Sequence, residues 1–343
     1  MIVMKNKNQT NIVSLREVYK DLFPIGAAIS EDGIERYGDL LKSHFNSITP
    51  ENALKMINVS PKENEYNFEA LDKIVNFAKK NSMLIRGHVL IWHDQVPEWV
   101  FKGTDGSSVP RELLLDRMNE YIAQVVGRYK NDIYCWDVVN EAIDDSDNVF
   151  YRDTKWFSMI GEDYIEKAFL YAHAVAPEAV LFYNDYNYVL KSKREKIYKL
   201  VKSMKEREIP IHGIGIQGHW GIHYPEVSDI RRTIELFADL GLKIQLTEMD
   251  MSMYEWGNNR SDLKKPTEDM LKLQTEKYDK IFGVLREYSD IISGVTFWGV
   301  ADDYTWLDDF PVKGRKDWPL LFDEHFHLKP AFDSITSFKK REV

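Results

Sequence analysis

The sequence predicts an α/β protein folded as a single (β/α)8 TIM barrel, and three observations support this fold class. Eight short apolar runs recur along the 343 residues, and longer stretches with helical periodicity separate them. The runs are continuously apolar, which is typical of parallel strands covered by helices on one face and by a packed interior on the other. No Pro/Gly/Ser-rich linker divides the chain, so we expect one domain over residues 1–343.

The eight apolar runs are the predicted strands. In chain order they span residues 24–30, 44–52, 84–93, 133–142, 179–186, 214–220, 243–251 and 292–301. An open, doubly wound sheet would also alternate strands and helices, but no Gly-x-Gly-x-x-Gly turn follows the first run. The closed barrel is therefore favoured over the open sheet.

Three of the intervals between the strands show the helical pattern clearly, because their apolar residues recur at spacings of three and four. These residues are Leu71, Ile74, Val75 and Ala78; Met118, Tyr121, Ile122 and Val125; and Ile230, Ile234, Phe237 and Ala238. Gly241 follows the third group, where the C-cap of a helix is expected. Each of these helices should lay one apolar face against the strands.

The charge balance disfavours some classes of partner. The chain carries 45 Lys and Arg against 55 Asp and Glu, which gives a formal net charge of −10 and a pI near 5.5. An acidic excess disfavours nucleic acids and anionic membranes. No apolar run reaches the roughly 18 residues that a membrane-spanning helix requires. We therefore expect neither a nucleic acid nor a membrane as partner.

Cys135 is the single cysteine of the chain, so the sequence has no intrachain disulfide and no cysteine-based zinc or iron–sulfur cluster. A chain without disulfides fits a reducing compartment. Residues 1–8 turn polar at once and lack the apolar stretch of about 7–15 residues found in secretory signals. The sequence therefore predicts a cytoplasmic protein.

Active sites of (β/α)8 barrels lie at the C-terminal ends of the strands. Polar and aromatic residues end seven of the predicted strands. They are Glu51 and Asn52, with Lys55 just beyond; His88, Trp92 and His93; Asn140 and Glu141; Asn184 and Asp185; Gln217 and His219; Glu248 and Asp250; and Trp298, with Trp306 in the next loop. The sequence therefore predicts a site at this mouth of the barrel.

Two glutamates stand out at the predicted mouth. Glu141 and Glu248 end the fourth and seventh strands, three strands apart in a ring of eight, so they should face each other. Hydrolysis of a glycosidic bond needs one carboxyl group that protonates the leaving oxygen and a second that stays ionised at the anomeric carbon. A single glutamate at this position could instead close the rim with a salt bridge. The neighbouring Asn140 and His219 favour catalysis.

Several segments resemble a known family. Residues 136–142 (WDVVNEA) and 246–250 (LTEMD), together with residues 49–52 (TPEN) and 86–93 (RGHVLIWH), are similar to segments of the family-ten glycoside hydrolases, the (β/α)8 endo-β-1,4-xylanases. The resemblance covers roughly residues 15–338. It implies a retaining enzyme that hydrolyses xylan-derived oligosaccharides by double displacement, without a cofactor or metal.

The same resemblance implies a role for each matching residue. Glu141 would be the general acid/base and Glu248 the nucleophile, with His219 hydrogen-bonded to Glu248 and Asn140 at the sugar 2-hydroxyl. Nine further residues would line the glycone side: Glu51, Asn52, Lys55, His88, Trp92, Gln95, Gln217, Trp298 and Trp306. Secreted relatives often carry a signal peptide and carbohydrate-binding modules, and neither is expected in this chain. This difference suggests an intracellular form that acts on imported oligosaccharides.

Other interpretations of the sugar-binding residues remain open. Each tryptophan, taken alone, could be an ordinary core residue. Lys55 could be a solvated charge, although it follows Asn52 and Glu51 at the helical spacings of three and four. A non-catalytic sugar-binding barrel would keep the tryptophans, but it has no use for two opposed glutamates.

A metal-dependent barrel hydrolase is the other alternative. His88, His93 and His219 lie near carboxylates and could bind a metal, but no His-x-His or His-Glu-x-x-His motif is present. We therefore interpret His88 as a donor to a sugar hydroxyl and His93 as support for its neighbours.

Overall fold

The computed structural model describes residues 13–338, in which eight parallel strands close into a barrel. These are β1 (Ile25–Ile29), β2 (Ser47–Pro50), β3 (Leu84–Gly87), β4 (Cys135–Asn140), β5 (Val180–Asp185), β6 (Gly213–Ile216), β8 (Lys243–Ser252) and β9 (Ile292–Phe297). Strands β1 to β6 pair in sequence, β6 pairs with β8, and β9 pairs with both β8 and β1. The predicted (β/α)8 barrel is confirmed.

A short additional strand, β7 (His219–Gly221), lies at the mouth of the barrel. It pairs with the outer half of β8, with His219 opposite Asp250. The ten residues of β8 are long enough to pair with β6 inside the barrel and with β7 at the rim. This pairing brings His219 towards the carboxyl end of β8.

Helices follow the strands around the outside of the barrel. They are α1 (Leu15–Val18), α2 (Glu31–His44), α3 (Met56–Val59), α4 (Glu69–Lys80), α5 (Arg111–Tyr129), α6 (Lys155–Ile160), α7 (Tyr164–Val175), α8 (Lys191–Glu206), α9 (Val227–Ala238), α10 (Glu268–Glu287) and α11 (Pro330–Thr336). In the part of the chain that the structure describes, no helix has the length and apolar character needed to cross a membrane.

The predicted apolar faces pack against the barrel. All four predicted residues of α4 are buried, as are the four of α5, whereas Ala238 at the end of α9 is only partly buried. Gly241 lies three residues beyond the end of α9, has a φ of 67°, and donates its N–H to the carbonyl of Ala238 at 2.8 Å. Glycine adopts this left-handed conformation without steric cost.

The interior of the barrel is not purely apolar. Arg86 of β3 and Asp137 of β4 are fully buried and form an ion pair through both guanidinium NH2 groups. The Nε of Arg86 donates to Gln245 of β8 at 3.0 Å. Burial of charges is costly unless they are paired and hydrogen-bonded, and here each charge has its partner. Asp137 also bonds His88 at the mouth, so the interior pair connects to the site above it.

The predicted strands are longer than the observed ones at the mouth. His44 belongs to the end of α2, and Glu51 and Asn52 follow β2 in a turn. Strand β3 ends at Gly87, so His88 and Trp92 lie in the next loop. Apolar composition continues past these strand ends, because the loops are themselves buried.

The predicted strand at residues 214–220 is divided in two. Gly218 has a φ of 80°, which turns the chain out of the barrel between β6 and β7. The turn leaves Gln217 at the end of β6 and moves His219 to the rim.

Candidate active site

Glu248 lies in the middle of β8 and is only 4% exposed. Its Oε1 accepts a hydrogen bond from Nδ2 of Asn184 at 2.7 Å, and its Oε2 lies 3.2 Å from Nε2 of His219. Burial alone would raise the pKa of Glu248, but the charges of His88 and His219 and these two donors lower it to about 2. The carboxylate is therefore ionised throughout the neutral pH range.

His219 is held between two carboxylates. Its Nδ1 lies 2.8 Å from Oδ2 of Asp250, and the indole Nε1 of Trp306 donates to the same oxygen at 2.7 Å. Burial lowers the pKa of His219, but Asp250 and Glu248 together raise it to about 10. The ring therefore carries a proton on both nitrogens at neutral pH, and each nitrogen donates to one carboxylate.

Asn184, at the end of β5, has its amide orientation fixed by Glu248, because an ionised carboxylate only accepts hydrogen bonds and Nδ2 must therefore face it. Nδ2 also donates to Oδ1 of Asn140 at 2.8 Å, and Oδ1 of Asn184 accepts from the hydroxyl of Thr247 at 2.7 Å. A Cβ at Gly215 would lie 2.1 Å from Oδ1 of Asn184. The close approach of Asn184 therefore depends on the absence of a side chain in β6.

Glu141 follows the last residue of β4 and is half-buried. Its Oε1 accepts from Nε2 of Gln217 at 2.9 Å and from Nδ2 of Asn140 at 3.1 Å. Its φ is 57°, a left-handed conformation that costs a residue other than glycine about 1–3 kcal/mol. Such strain persists only where the surrounding contacts fix the backbone.

A chain of amide groups connects the two glutamates. Gln217 donates to both Glu141 and Oδ1 of Asn140, and Asn184 donates to both Oδ1 of Asn140 and Glu248. The two carboxyl groups are therefore joined through Gln217, Asn140 and Asn184, but their surroundings differ. Glu248 is buried and its low pKa keeps it ionised at neutral pH, while Glu141 is only half-buried.

Lys55 lies near the two glutamates and is only 8% exposed. Its Nζ donates to Oδ1 of Asn52 at 2.9 Å and lies 5.0 Å from the ring centre of Trp92. Burial lowers its pKa, and the nearby carboxylates of Glu248 and Glu51 oppose that effect. Lys55 is thus not a solvated surface charge. The expected proximity of Lys55 to Asn52 is confirmed, although a turn before α3, and not a helix, brings the two residues together.

Two tryptophan rings pack against the histidines of the site. The ring of His88 meets Trp298 edge-on at 5.2 Å between centroids, and His219 meets Trp306 at 4.9 Å and Trp298 at 6.3 Å. Nδ1 of His88 lies 2.8 Å from Asp137, which leaves Nε2 as the ring nitrogen available to a hydroxyl. The two indoles therefore contact the site histidines, although Trp298 is only 9% exposed.

Three predicted residues have weaker links to the glutamates. Glu51 accepts from the hydroxyl of Tyr304 at 3.1 Å. Gln95 has a φ of 51° and contacts its neighbours through its backbone, so the placement of its side chain against sugar stays a prediction. His93 packs edge-on against Trp92, and burial lowers its pKa to about 4, so the ring is neutral.

Between residues 13 and 338, no group of three or more His, Cys, Asp or Glu side chains is arranged to hold an ion. His88 and His219 have aspartate partners, and His93 packs against an indole.

Four residues that had no assigned role contact the predicted site residues: Asn184, Asp250, Asp137 and Tyr304. Asn184 and Asp250 stand at strand ends in the sequence, so their position was a usable signal. Asp137 points into the barrel interior and Tyr304 lies in a long loop, and nothing in the sequence distinguishes either one.

A (β/α)8 barrel whose mouth holds two carboxylates in contrasting surroundings, beside two indoles that contact the site histidines, is the arrangement of a glycoside hydrolase. The chain belongs to glycosyl hydrolase family 10, because the model of that family matches residues 14–338.

Individual relatives are similar over most of their length. The endo-1,4-beta-xylanase B of Paenibacillus barcinonensis is 49% identical over 94% of this chain and 97% of the relative. The beta-1,4-xylanase of Dictyoglomus thermophilum is 51% identical over 95% of this chain and 91% of the relative. The crystal structure of xylanase XynB from P. barcinonensis, complexed with a conduramine derivative, superposes with a TM-score of 0.94, 49% identity, and coverage of 95% and 99%. A mutant structure in complex with xylotriose gives a TM-score of 0.93 at 49% identity, with coverage of 95% and 100%.

Proposed function

We propose that this chain is a retaining endo-β-1,4-xylanase in which Glu248 is the nucleophile and Glu141 the general acid/base. The observation that carries the assignment of roles is the difference between the two carboxyl groups. Glu248 is buried, accepts bonds from Asn184 and His219, and has a pKa of about 2. A nucleophile must be ionised in every cycle, whereas an acid/base must exchange its proton.

In the first step a carboxylate oxygen of Glu248 attacks the anomeric carbon. The glycosidic C–O bond breaks, and Glu141 delivers its proton to the leaving oxygen, which departs as the alcohol of the shortened chain. A glycosyl ester of Glu248 results, and Glu141 is left ionised. His219 and Asn184 hold the attacking carboxylate in place.

In the second step Glu141 takes a proton from water, and the water oxygen attacks the same carbon. The ester bond to Glu248 breaks and the carboxylate is regenerated. Two inversions give net retention of the β configuration.

We attribute the choice of substrate to the residues proposed for the glycone side. Xylose lacks the exocyclic CH2OH of glucose, so a tight wall formed by Trp298, Trp306 and Gln95 would exclude glucose by steric clash. The relatives named as xylanases and the structure with xylotriose support this choice.

The activity is tested on linear xylo-oligosaccharides against matching cello-oligosaccharides, with proton NMR of the first-formed anomer. We expect strong preference for the xylo series and initial β product, which corresponds to carboxyl groups about 5–5.5 Å apart. Similar efficiency on both series contradicts the substrate assignment. An initial α product contradicts the role of Glu248.

The two roles are separated by leaving-group chemistry. Glu141→Ala should lose about 10²–10⁴-fold on xylo-oligosaccharides, the range of general acid–base catalysis. On an aryl xylobioside with an acidic phenol its first step should be nearly normal, and azide should give a β-glycosyl azide. Glu248→Ala should be nearly inactive on both substrates. The reverse pattern would exchange the two roles.

The location is also a proposal: a cytoplasmic enzyme that acts on imported xylo-oligosaccharides. The lone cysteine of the sequence supports a reducing compartment. Fractionation of the source cells, with activity assayed in the culture medium and in the cytosol, tests it. Activity in the medium without cell lysis contradicts the proposal.

A further inference from the structure

Every backbone polar group of Glu141 and Ala142 has a fixed partner. The N–H of Glu141 donates to the carbonyl of Asn184 at 2.9 Å, and the N–H of Ala142 donates to the phenol oxygen of Tyr183 at 3.1 Å. Arg152 supplies the other two donors: its Nε bonds the Glu141 carbonyl at 3.0 Å, and its own N–H bonds the Ala142 carbonyl at 2.8 Å. These four bonds enclose the residue whose φ is 57°.

Arg152 and Tyr183 are themselves fixed by a charge cluster of Asp145, Arg152, Asp185 and Lys193, whose inner members Asp185 and Lys193 are buried and whose outer member Asp145 is exposed. The hydroxyl of Tyr183 donates to Asp185 at 2.5 Å. The ammonium of Lys193 lies 2.9 Å from Asp185 and 2.8 Å from Asp145, and Arg152 lies 3.2 Å from Asp145. Asp185 and the side chain of Lys193 are fully buried. Two acids and two bases balance, so each buried charge is compensated.

The loop between Glu141 and Arg152 is anchored in the same region. Nζ of Lys196, one turn further along α8, donates to the carbonyls of Asp144, Ser146 and Val149 at 2.6, 2.8 and 2.7 Å. The loop therefore cannot move without breaking bonds to a helix of the barrel. Its hydrogen bonds reach the active site through the backbone of residues 141 and 142.

We propose that Arg152 and Tyr183, backed by the charge cluster, are positioning residues for Glu141. They hold its backbone left-handed, so that the carboxyl group stays against Gln217 and Asn140 and within reach of the glycosidic oxygen. An extended backbone at residue 141 would point Cβ in another direction and carry the carboxyl group away from these amides. This inference rests on the proposed role of Glu141 as acid/base.

A displaced acid/base has a kinetic signature that loss of folding does not share. Protonation of the leaving oxygen matters when the leaving group is a sugar hydroxyl, and it matters little when the leaving group is an acidic phenol. Deglycosylation needs the base with either substrate, but azide attacks without one. A variant in which Glu141 is displaced should therefore have a lower kcat/KM on xylo-oligosaccharides. Its first step on an aryl xylobioside should be nearly as fast as in wild type, and azide should partly restore its turnover.

Two substitutions test the proposal, each with a matched control. Arg152→Gln removes the donor to the Glu141 carbonyl. Arg111→Gln removes the same pair of contacts elsewhere, since Arg111 bonds the carbonyl of Ile160 at 2.9 Å and Asp163 at 2.5 Å.

Tyr183→Phe removes a single buried oxygen atom. It tests the positioning proposal on its own if Arg152→Gln fails to fold. Its control is Tyr19→Phe, because the hydroxyl of the fully buried Tyr19 bonds the carbonyl of Ile335 at 2.6 Å, away from the site.

We expect kcat/KM on xylo-oligosaccharides to fall about 10- to 100-fold in Arg152→Gln and about 3- to 10-fold in Tyr183→Phe, less than the loss of about 10²–10⁴-fold expected when the acid/base itself is removed. The burst rate on the aryl xylobioside should stay within about twofold of wild type, and azide should accelerate turnover. Both controls should match wild type on both substrates.

Glu141→Ala, measured in the same series, distinguishes the acid/base role of Glu141 from the positioning role of Arg152 and Tyr183. If it shows the leaving-group pattern and Arg152→Gln and Tyr183→Phe do not, or if they lose activity equally on both substrates, the positioning proposal is wrong. If Glu141→Ala itself lacks the pattern, the assigned role of Glu141 is wrong, and the positioning proposal fails with it.

Discussion

Asn184 donates a hydrogen bond from its neutral amide to the carboxylate of Glu248. Its removal is a simple test of what keeps Glu248 ionised. Asn184→Ala removes a 2.7 Å bond that favours the charged form, so the pKa of Glu248 should rise. Hydrogen bonds to charged groups are worth about 1.5–3 kcal/mol, so activity should fall about 10- to 100-fold. The acid limb of kcat/KM on an activated aryl xylobioside should move to higher pH. Asn81→Ala, which removes an amide at the end of α4, is the control, and an unmoved acid limb would contradict the prediction.

His219 makes stability depend on pH at the alkaline side. Its pKa is 6.5 in the unfolded chain and about 10 in the fold, so its stabilising contribution is complete below about pH 6.5 and is lost as the pH rises towards 10. The free energy of unfolding of wild type should exceed that of His219→Gln most at pH 5–6.5. The difference should shrink steadily to pH 10. Urea denaturation across this range measures it, and a constant difference would show that the ring is not charged in the fold.

A site residue could be predicted from the sequence when its side chain suits catalysis and it also stands at the end of a predicted strand. Glu141 and Glu248 are carboxylates at strand ends, so their type and place together indicate catalysis. Asn184 shares the place, but amides end many strands for structural reasons. Tyr304 reaches Glu51 across 253 residues of sequence separation, and no local pattern contains such a contact.

In strand β6, the side chain of Asn184 on the neighbouring strand β5 requires a glycine at position 215. Gly215→Ala would place a Cβ 2.1 Å from Oδ1 of Asn184 and 2.8 Å from Thr247. Overpacking of a well-packed core costs about 1–3 kcal/mol, and here the atom displaced is part of the support of Glu248. We expect lower stability together with a loss of kcat.

The matched control for Gly215→Ala is Gly283→Ala in the middle of α10. A Cβ there meets only Nη2 of Arg286 at 3.8 Å, so the substitution should stabilise the protein by about 0.5–1 kcal/mol with kcat unchanged. Thermal unfolding and kcat measured on both variants check the pair. Full activity in Gly215→Ala would show that Asn184 does not need its present position.

The elements were predictable in number and order because helical and strand periodicities differ. Their ends at the mouth were not, since buried loops such as the one that carries His88 and Trp92 are as apolar as the strands before them. The division of the strand at residues 214–220 depends on the φ of Gly218, and a glycine in a sequence does not reveal which conformation it adopts.

For the whole molecule, the proposed mechanism needs no ion. Exhaustive dialysis against a chelator should therefore leave kcat and kcat/KM on xylo-oligosaccharides unchanged, and added Zn²⁺ or Ca²⁺ should restore nothing. A chelated metal-dependent hydrolase measured in parallel shows that removal was complete. Loss of activity that returns with a metal would support the metal-dependent alternative.

The burial of Cys135 in β4 gives the molecule a single built-in reporter of barrel opening. The thiol is fully buried, and burial raises its pKa to about 12, so the reactive thiolate is absent from the closed protein at neutral pH. An alkylating reagent can therefore modify the chain only while β4 is separated from its neighbours. At saturating reagent the labelling rate equals the opening rate, and a ligand that binds between Glu141 and Glu248 should slow labelling in proportion to its occupancy.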